Sequence, residues 1–486
     1  MSYNTNVIKN DKLFELAEKA DKFKKRDCFL LLQHFFSESY DGKVLIIYGL
    51  PKTGKTTLML QKIKMLPKER VVYIKIAEAD NMKMLCKDLD KLKNEGYKYI
   101  FIDEITIMDD FVSQAALLSD IYACMGMKIT ISGNDSLCFC LARREELYDR
   151  CSVIHTTYSF YKEYARLFND KSINNYLEHG GKLESADTPY ENSVFYDSAS
   201  MKNYIDKSIC SNIINAYEKS GQHDYFRYFI DDYNKGNLLE ILNDFIWKFI
   251  YNYVIVSIKT YYDFKNSTIK EKEIIKKVND KFEMVAADKE GLINFEQYDM
   301  ILKYLQDLDL LEYYSEYYEK YSQGEIQIYT YPAMINVVSK EYIHDILLDK
   351  YFDTASIDEE KRITDKIYNA VKMRIYTDTI FLDMDNSIKY NEEVFRYNFY
   401  EHLEHYFVHY DYGDNVYRIY EIRYDDKLIN KKTSALFDKE KFTYINKKYG
   451  KIAGRYVIYL GESKTVDGVE YKNVEDFLLS IGYQYK

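Results

Sequence analysis

The sequence predicts an α/β fold built on a parallel sheet, followed by mainly helical sequence and a smaller α/β unit at the end. Three observations carry this. Val44 to Tyr48 is a short apolar, β-rich run, as expected of a strand covered on both faces. A glycine-bearing loop and then a helical pattern closed by Pro67 follow it directly. Between residues 41 and 160 such runs alternate with helical stretches, the pattern of parallel strands joined by crossover helices.

Taken in order, residues 1–40 read as helical. Leu13, Phe14, Leu16 and Ala17 mark one apolar face, and Phe29 to Phe36 mark another. Lys24-Lys25-Arg26 stands between them and reads as a solvated cluster, with contact to a nucleotide base or phosphate as the alternative. The stretch Gly49-Leu50-Pro51-Lys52-Thr53-Gly54-Lys55-Thr56, with Thr57 next, fits the pattern G-x-x-x-x-G-K-[ST] at every specified position. A phosphate chain carries several negative charges and needs many donors at once. Glycines let the backbone curl so that successive N–H groups face an anion, and the helix N-terminus behind adds partial positive charge. Lys55 is expected to reach the β- and γ-phosphates of ATP, and the Thr56 hydroxyl to ligate Mg²⁺.

Arg70 to Ile76 reads as the next strand, Met82 to Glu95 as a helix, and Tyr97 to Asp103 as a third strand ending in Asp103-Glu104. An acidic residue there can hold the Mg²⁺ shell, and a carboxylate directly after it can orient water. Asp103 and Glu104 are assigned those roles. Met127 to Ser132 reads as a strand followed by Gly133-Asn134-Asp135-Ser136. Ser132 and Asn134 are candidates to contact the γ-phosphate or the attacking water. Arg150, just before a fifth strand at 152–156, is the candidate cationic sensor, with Arg143 and Arg144 as alternatives. The nucleotide is expected at the carboxyl ends of the strands.

Residues 166–262 read as a helical region, and the strongly apolar patch Leu238 to Tyr262 as packing between domains. Residues 263–350 read as helices at 269–278 and 295–308 followed by a two-stranded wing. In 351–486, a helix over 358–375 and a second helical run over 397–405 precede strands at 406–410, 416–424 and 455–460 and a closing helix at 474–481.

With 486 residues and 47% hydrophobic composition, three or four domains with substantial cores are expected. The mean hydropathy of −0.44, the lack of an apolar run near ~18–20 residues and the polar start Met1 to Lys12 point to a cytoplasmic chain with no membrane partner. Seven scattered cysteines read as reduced thiols. The net charge of −11 argues against a protein that coats nucleic acid. The local exception is Lys427 to Arg455, where nine Lys/Arg against Asp438 and Glu440 leave a net of +7. His402, His405 and His409 straddle an expected helix-to-strand change, which disfavours a shared metal. The 52 tyrosines are read as compositional rather than as a stacking platform.

In their order, the Gly49–Thr57 loop, Ile102-Asp103-Glu104, Ile131 to Ser136, Tyr148-Asp149-Arg150 and Tyr158 to Tyr164 resemble a family of bacterial and archaeal AAA-like P-loop ATPases. That family carries a winged helix and a restriction-endonuclease-like domain in its second half. Here Ser132-Gly133-Asn134-Asp135 stands where the family has Thr-Gly-Ser-Ser, and Asp149-Arg150 where it has Gly-Arg. The resemblance implies an N-terminal segment (1–40), a P-loop domain (41–165), a helical region (166–262), a winged helix (263–350) and an endonuclease-like domain (351–486). Glu421-Ile422-Arg423 is similar to the Glu-x-Lys of such nucleases, with Arg for Lys, and Tyr406 falls where their Asp stands, so that domain is expected to be inactive. The expected activity is Mg²⁺-dependent ATP hydrolysis driving conformational change. The alternatives are a nucleotide-gated regulator with little turnover and a nucleic-acid-processing protein. A protein or nucleic-acid partner is expected through residues 265–486, with oligomerisation left open.

Overall fold

The computed structural model describes residues 2–38, 42–156, 158–184, 187, 195–220, 235–282, 293–319, 323–400, 405–429, 431 and 434–482. The chain divides into two compact units. The first comprises Met1–Tyr158, Ala199–Trp247 and Val285–Asp309, and the second Ser159–Ser198, Lys248–Met284 and Leu310–Lys486. The expected 263–350 segment is therefore shared out: helix Phe295–Asp307 belongs to the first unit and the hairpin after it to the second.

The first unit is organised on a six-stranded sheet of β1 (Asn6–Lys9), β2 (Val44–Tyr48), β3 (Val71–Lys75), β4 (Tyr99–Asp103), β5 (Lys128–Gly133) and β6 (Cys151–His155). The spatial order is β1-β3-β4-β5-β2-β6, with β2 to β6 parallel and β1 antiparallel at the edge. All five residues of β2 are buried, as its apolar run requires. Leu45 and Ile47 face a core with Leu58, Met59 and Ile63 of the helix Lys55–Ile63 and Leu13, Leu32 and Phe35 of the N-terminal helices. β1 departs from the all-helical expectation for residues 1–40. It is anchored where Asp88 accepts the backbone N–H of Asn4 at 2.9 Å and of Thr5 at 2.7 Å.

The second unit is built on an eight-stranded mixed sheet of β7 (Leu311–Tyr318), β8 (Gly324–Tyr329), β9 (Glu392–Asn398), β10 (His405–Asp411), β11 (Val416–Ile422), β12 (Lys451–Tyr459), β13 (Lys464–Val466) and β14 (Val469–Asn473). Its order is β13-β14-β12-β11-β10-β9-β7-β8. β9, β10 and β11 form an antiparallel meander, and β12 returns parallel to β11 after the helix Lys439–Tyr449. The helical run expected over 397–405 is corrected: Tyr397 lies in β9 and His405 in β10. Alternate residues of these strands, among them Tyr397, Tyr406, Tyr417 and Tyr459, face one buried cluster, so period two overrides the local helical reading. Among the described residues, nine of the twelve largest fully buried side chains are tyrosines, which places much of the Tyr excess in the core.

Among the described residues, one helix stretch, Asn237–Tyr261, is long and apolar enough by composition to cross a membrane, and 67% of its most apolar window is buried inside the protein. That is the pattern of a core helix.

A phosphate loop and its acidic partner strand

The loop after β2 is shaped by three backbone positions. Gly49 has φ of 151°, Lys52 of 69° and Gly54 of 89°, the last directly before the helix Lys55–Ile63. A Cβ on Gly49 would stand 2.5 Å from Thr156 Oγ1 and 2.8 Å from the Thr156 carbonyl oxygen, so only glycine fits there. Thr53 Oγ1 donates to the Leu50 carbonyl at 2.8 Å and shares a 2.7 Å hydrogen bond with Thr156 Oγ1. Arg26 Nη1 donates to the Thr53 carbonyl at 2.9 Å, so the Lys24-Lys25-Arg26 cluster puts a buried guanidinium against the loop backbone. Leu50 is buried, Pro51, Thr56 and Thr57 are half-buried, and Lys52 is exposed.

Lys55 is 5% exposed, and its Nζ donates to the carbonyls of Gly49 and Leu50 at 2.7 and 2.9 Å. Burial pulls its ammonium down to about 8, against the opposing pull of Glu104 and Asp103. Thr56 Oγ1 donates to Asp103 Oδ2 at 2.8 Å, joining the loop helix to the end of β4. Asp103 is fully buried and also accepts from Tyr73 Oη at 2.5 Å and from Ser132 Oγ. The register explains the last contact: Ile102 lies opposite Ile131, which sets Asp103 beside Ser132. Glu104 has a left-handed backbone, φ 61°, and its Oε1 accepts from Asn134 Nδ2 at 2.7 Å. Burial first, and then the neighbouring Asp103, raise the Glu104 carboxyl above its ordinary range. Asn134 is tied in turn by its carbonyl to Asn212 Nδ2 at 3.0 Å.

The structure thus brings together Lys55, Thr56, Asp103, Glu104, Ser132 and Asn134. Ser132 Oγ donates to Asp103 Oδ1. Arg150 is not brought to the loop of its own chain. The Val44 N–H donates to the Arg150 carbonyl at 3.0 Å, so Arg150 stands level with the start of β2, roughly 16 Å along a five-residue strand from Gly49. Its side chain pairs with Asp120 at 3.3 Å. Of the alternatives, Arg143 donates to Tyr48 Oη at 3.3 Å and Arg144 approaches Asp307 at 4.0 Å. Sequence reasoning missed Tyr73, Thr156 and Asn212. A polar-tipped Tyr in the buried part of the strand Val71–Lys75 was the one signal available.

Among the described residues no group of three or more His, Cys, Asp or Glu could hold a metal. A hydroxyl and a single carboxylate are hard oxygen donors too few for a protein-only cage, and they suit Mg²⁺, which keeps waters and takes its other ligands from phosphates. In the second unit, Tyr406 Oη accepts from the Ala435 N–H at 2.9 Å, and Glu421, paired across the sheet with Tyr406, accepts from Ser434 Oγ. Arg423 lies 3.6 Å from Glu421 and 2.8 Å from Asp425. His405 and His409 lie on one strand, roughly 13 Å apart by strand rise, and contact Arg396 and Glu392 respectively. His402 lies outside the described residues. Within 427–455, Lys431 pairs with Asp467, Lys441 with Glu319 at 2.8 Å, and Arg455 donates to two carbonyls, so at least three of those nine cations are engaged within the protein.

The glycine loop between a buried strand and a helix, with a strand-end acid two strands away, defines a P-loop nucleotide-hydrolase type of domain. More narrowly, residues 41–165 match the family model of an AAA domain. A 71-residue stretch is 38% identical to a protein of Invertebrate iridescent virus 6 named phosphoesterase 244L, over 14% of this chain. The match takes in 23% of that viral protein's length. Three solved structures resemble the chain at 12% identity each. PCH-2 of C. elegans has a TM-score of 0.21, covering 49% of this chain and 69% of its own. The S. cerevisiae Hsp104–ADP complex has 0.26, covering 75% and 50%. The Thermotoga maritima RuvB Holliday junction branch migration motor has 0.22, covering 61% and 88%.

Proposed function

We propose that the chain is a Mg²⁺-dependent ATPase that couples ATP binding and hydrolysis to conformational change in a partner-binding C-terminal half. The observation that carries this is the convergence of Lys55, Thr56, Asp103 and Glu104 at the carboxyl ends of β2 and β4. Lys55 would exchange two backbone carbonyls for phosphate oxygens, and Thr56 and Asp103 would hold the magnesium. When bound, the ion neutralises phosphate charge as it develops. Glu104, its carboxyl biased toward proton uptake by burial, would orient and deprotonate the attacking water once Asn134 releases it. ATP turnover by wild type, Lys55→Ala and Glu104→Gln tests the reading. Both variants are expected to lose turnover, Glu104→Gln by roughly 100-fold or more while it still binds ATP. Equal rates in all three would sink it.

One observation favours a second reading, a nucleotide-gated regulator with little turnover. Asn134 already occupies the Glu104 carboxylate, which describes a resting site. Tight ATP binding with negligible hydrolysis would select it. Residues 351–486 are proposed to be an endonuclease-like domain without nuclease activity. The meander β9–β11, the following helix and the parallel β12 support the fold, and the buried Tyr406 and enclosed Glu421 support the lack of activity.

A further inference from the structure

Asp103 receives donors from four places in the first unit. Oδ2 accepts from Tyr73 Oη at 2.5 Å and from Thr56 Oγ1 at 2.8 Å. Oδ1 accepts from Ser132 Oγ and from the Glu104 N–H at 3.2 Å. A threonine hydroxyl that ligates a metal through an oxygen lone pair keeps its proton for the carboxylate, so Thr56 and Tyr73 remain, among the described residues, the two side chains donating to Oδ2, and Tyr73 is the one that is not itself an expected metal ligand. Tyr73 is suited to that duty. It is 3% exposed, it stands on β3 two residues before Lys75, the direct partner of Asp103, and its ring packs in the same cluster as Leu58 and Met59. Packing alone would be served by phenylalanine; the hydroxyl is what reaches the carboxylate.

We infer that Tyr73 is a positioning residue for the nucleotide-bound magnesium ion, holding the Asp103 carboxylate in the orientation that the ion's water shell requires. This rests on the ATPase reading above. Partners that orient metal-binding groups from behind typically govern affinity for the metal, because they settle the direction of the ligand before the ion arrives. The full chain is titrated with Mg²⁺ at fixed fluorescent ATP analogue, and the analogue's affinity is measured separately in EDTA. In Tyr73→Phe the EDTA affinity is expected to stay at the wild-type value while the Mg²⁺ midpoint rises by roughly 10- to 100-fold. Thr56→Ala is expected to lose the magnesium response altogether. Tyr73→Leu, which also removes the ring, is expected to melt at lower temperature with no further shift in midpoint. A wild-type midpoint in Tyr73→Phe overturns the inference even if melting temperature falls. So does a much larger shift in Tyr73→Leu than in Tyr73→Phe, which would assign the effect to packing. A wild-type chain whose analogue binding ignores magnesium removes the ATPase reading and Tyr73's role together, whereas a responsive wild type with an unmoved Tyr73→Phe removes Tyr73 alone.

Discussion

Lys55 shows how a residue's environment sets its chemistry. Enclosed in its loop, its ammonium loses protons near pH 8 rather than 10.5. In the unfolded chain it would stay charged up to 10.5, so between about 8 and 10.5 the unfolded state binds more protons. The nucleotide-free fold therefore gains stability as pH rises through that window. Nucleotide binding has the opposite sign, because phosphate oxygens favour the protonated form. ATP affinity is expected to fall above pH 8, by at most about tenfold per pH unit, and to be flat between pH 6 and 7.5 as far as Lys55 is concerned. Isothermal titration across pH in two buffers of different ionisation enthalpy would check it, since proton uptake should appear only on the alkaline side. Lys55, Thr56, Asp103 and Glu104 were legible as a set because each is tied to a short pattern with one chemical purpose. Tyr73 and Asn212 were not, because their roles depend on which strand or helix lies beside the site, and a single sequence does not state neighbours.

Among elements, the strand-loop-helix of residues 44–63 was legible nearly to the residue, since its apolar run, glycines and helix start agree. Gly49 is its most constrained point. Gly49→Ala would drive a methyl into Thr156, whose N–H and hydroxyl both donate to the Tyr48 carbonyl, at 2.8 and 3.1 Å. The variant is expected to lose at least about 1–3 kcal/mol of stability and most of its ATP affinity, measured by denaturant unfolding and analogue binding. Other elements were less legible for physical reasons. β1 has only four residues, too few to show a period. The meander β9–β11 is rich in tyrosine, which is at home in a strand and on a helix face alike, so only long-range pairing decides. Arg150 looked suitable by its place before a strand. Parallel strands, however, put the residue before a strand at the opposite end from the residue after one.

Across the whole molecule, two different polar economies support the two units. The first buries Lys55 and Asp103 at the glycine loop and Asp88 where it fastens β1. The second encloses a structural pair: Arg374 Nε donates to Asp378 at 2.7 Å and Nη2 to the Gln327 carbonyl at 2.8 Å, with Tyr253 Oη also on Asp378. Removing one partner leaves the other charge buried without compensation. Arg374→Met is expected to cost about 3–5 kcal/mol in chemical denaturation, while the double change Arg374→Met with Asp378→Leu should cost less than the single one. The parallel strands of the first unit and several strands of the second were readable from their apolar runs and motifs. The interleaving of segments was not, because burial of distant helices, rather than any local signal, decides which body a stretch joins.

The antiparallel margin formed by β1 has a practical consequence. A protein trimmed to begin at Asp11 would lose both that ribbon and its fastening to Asp88, baring the row of amides and carbonyls along Val72 to Lys75. Naked strand borders recruit copies of themselves. Shortened material should therefore elute earlier than the intact polypeptide on gel filtration, and increasingly so as it is concentrated.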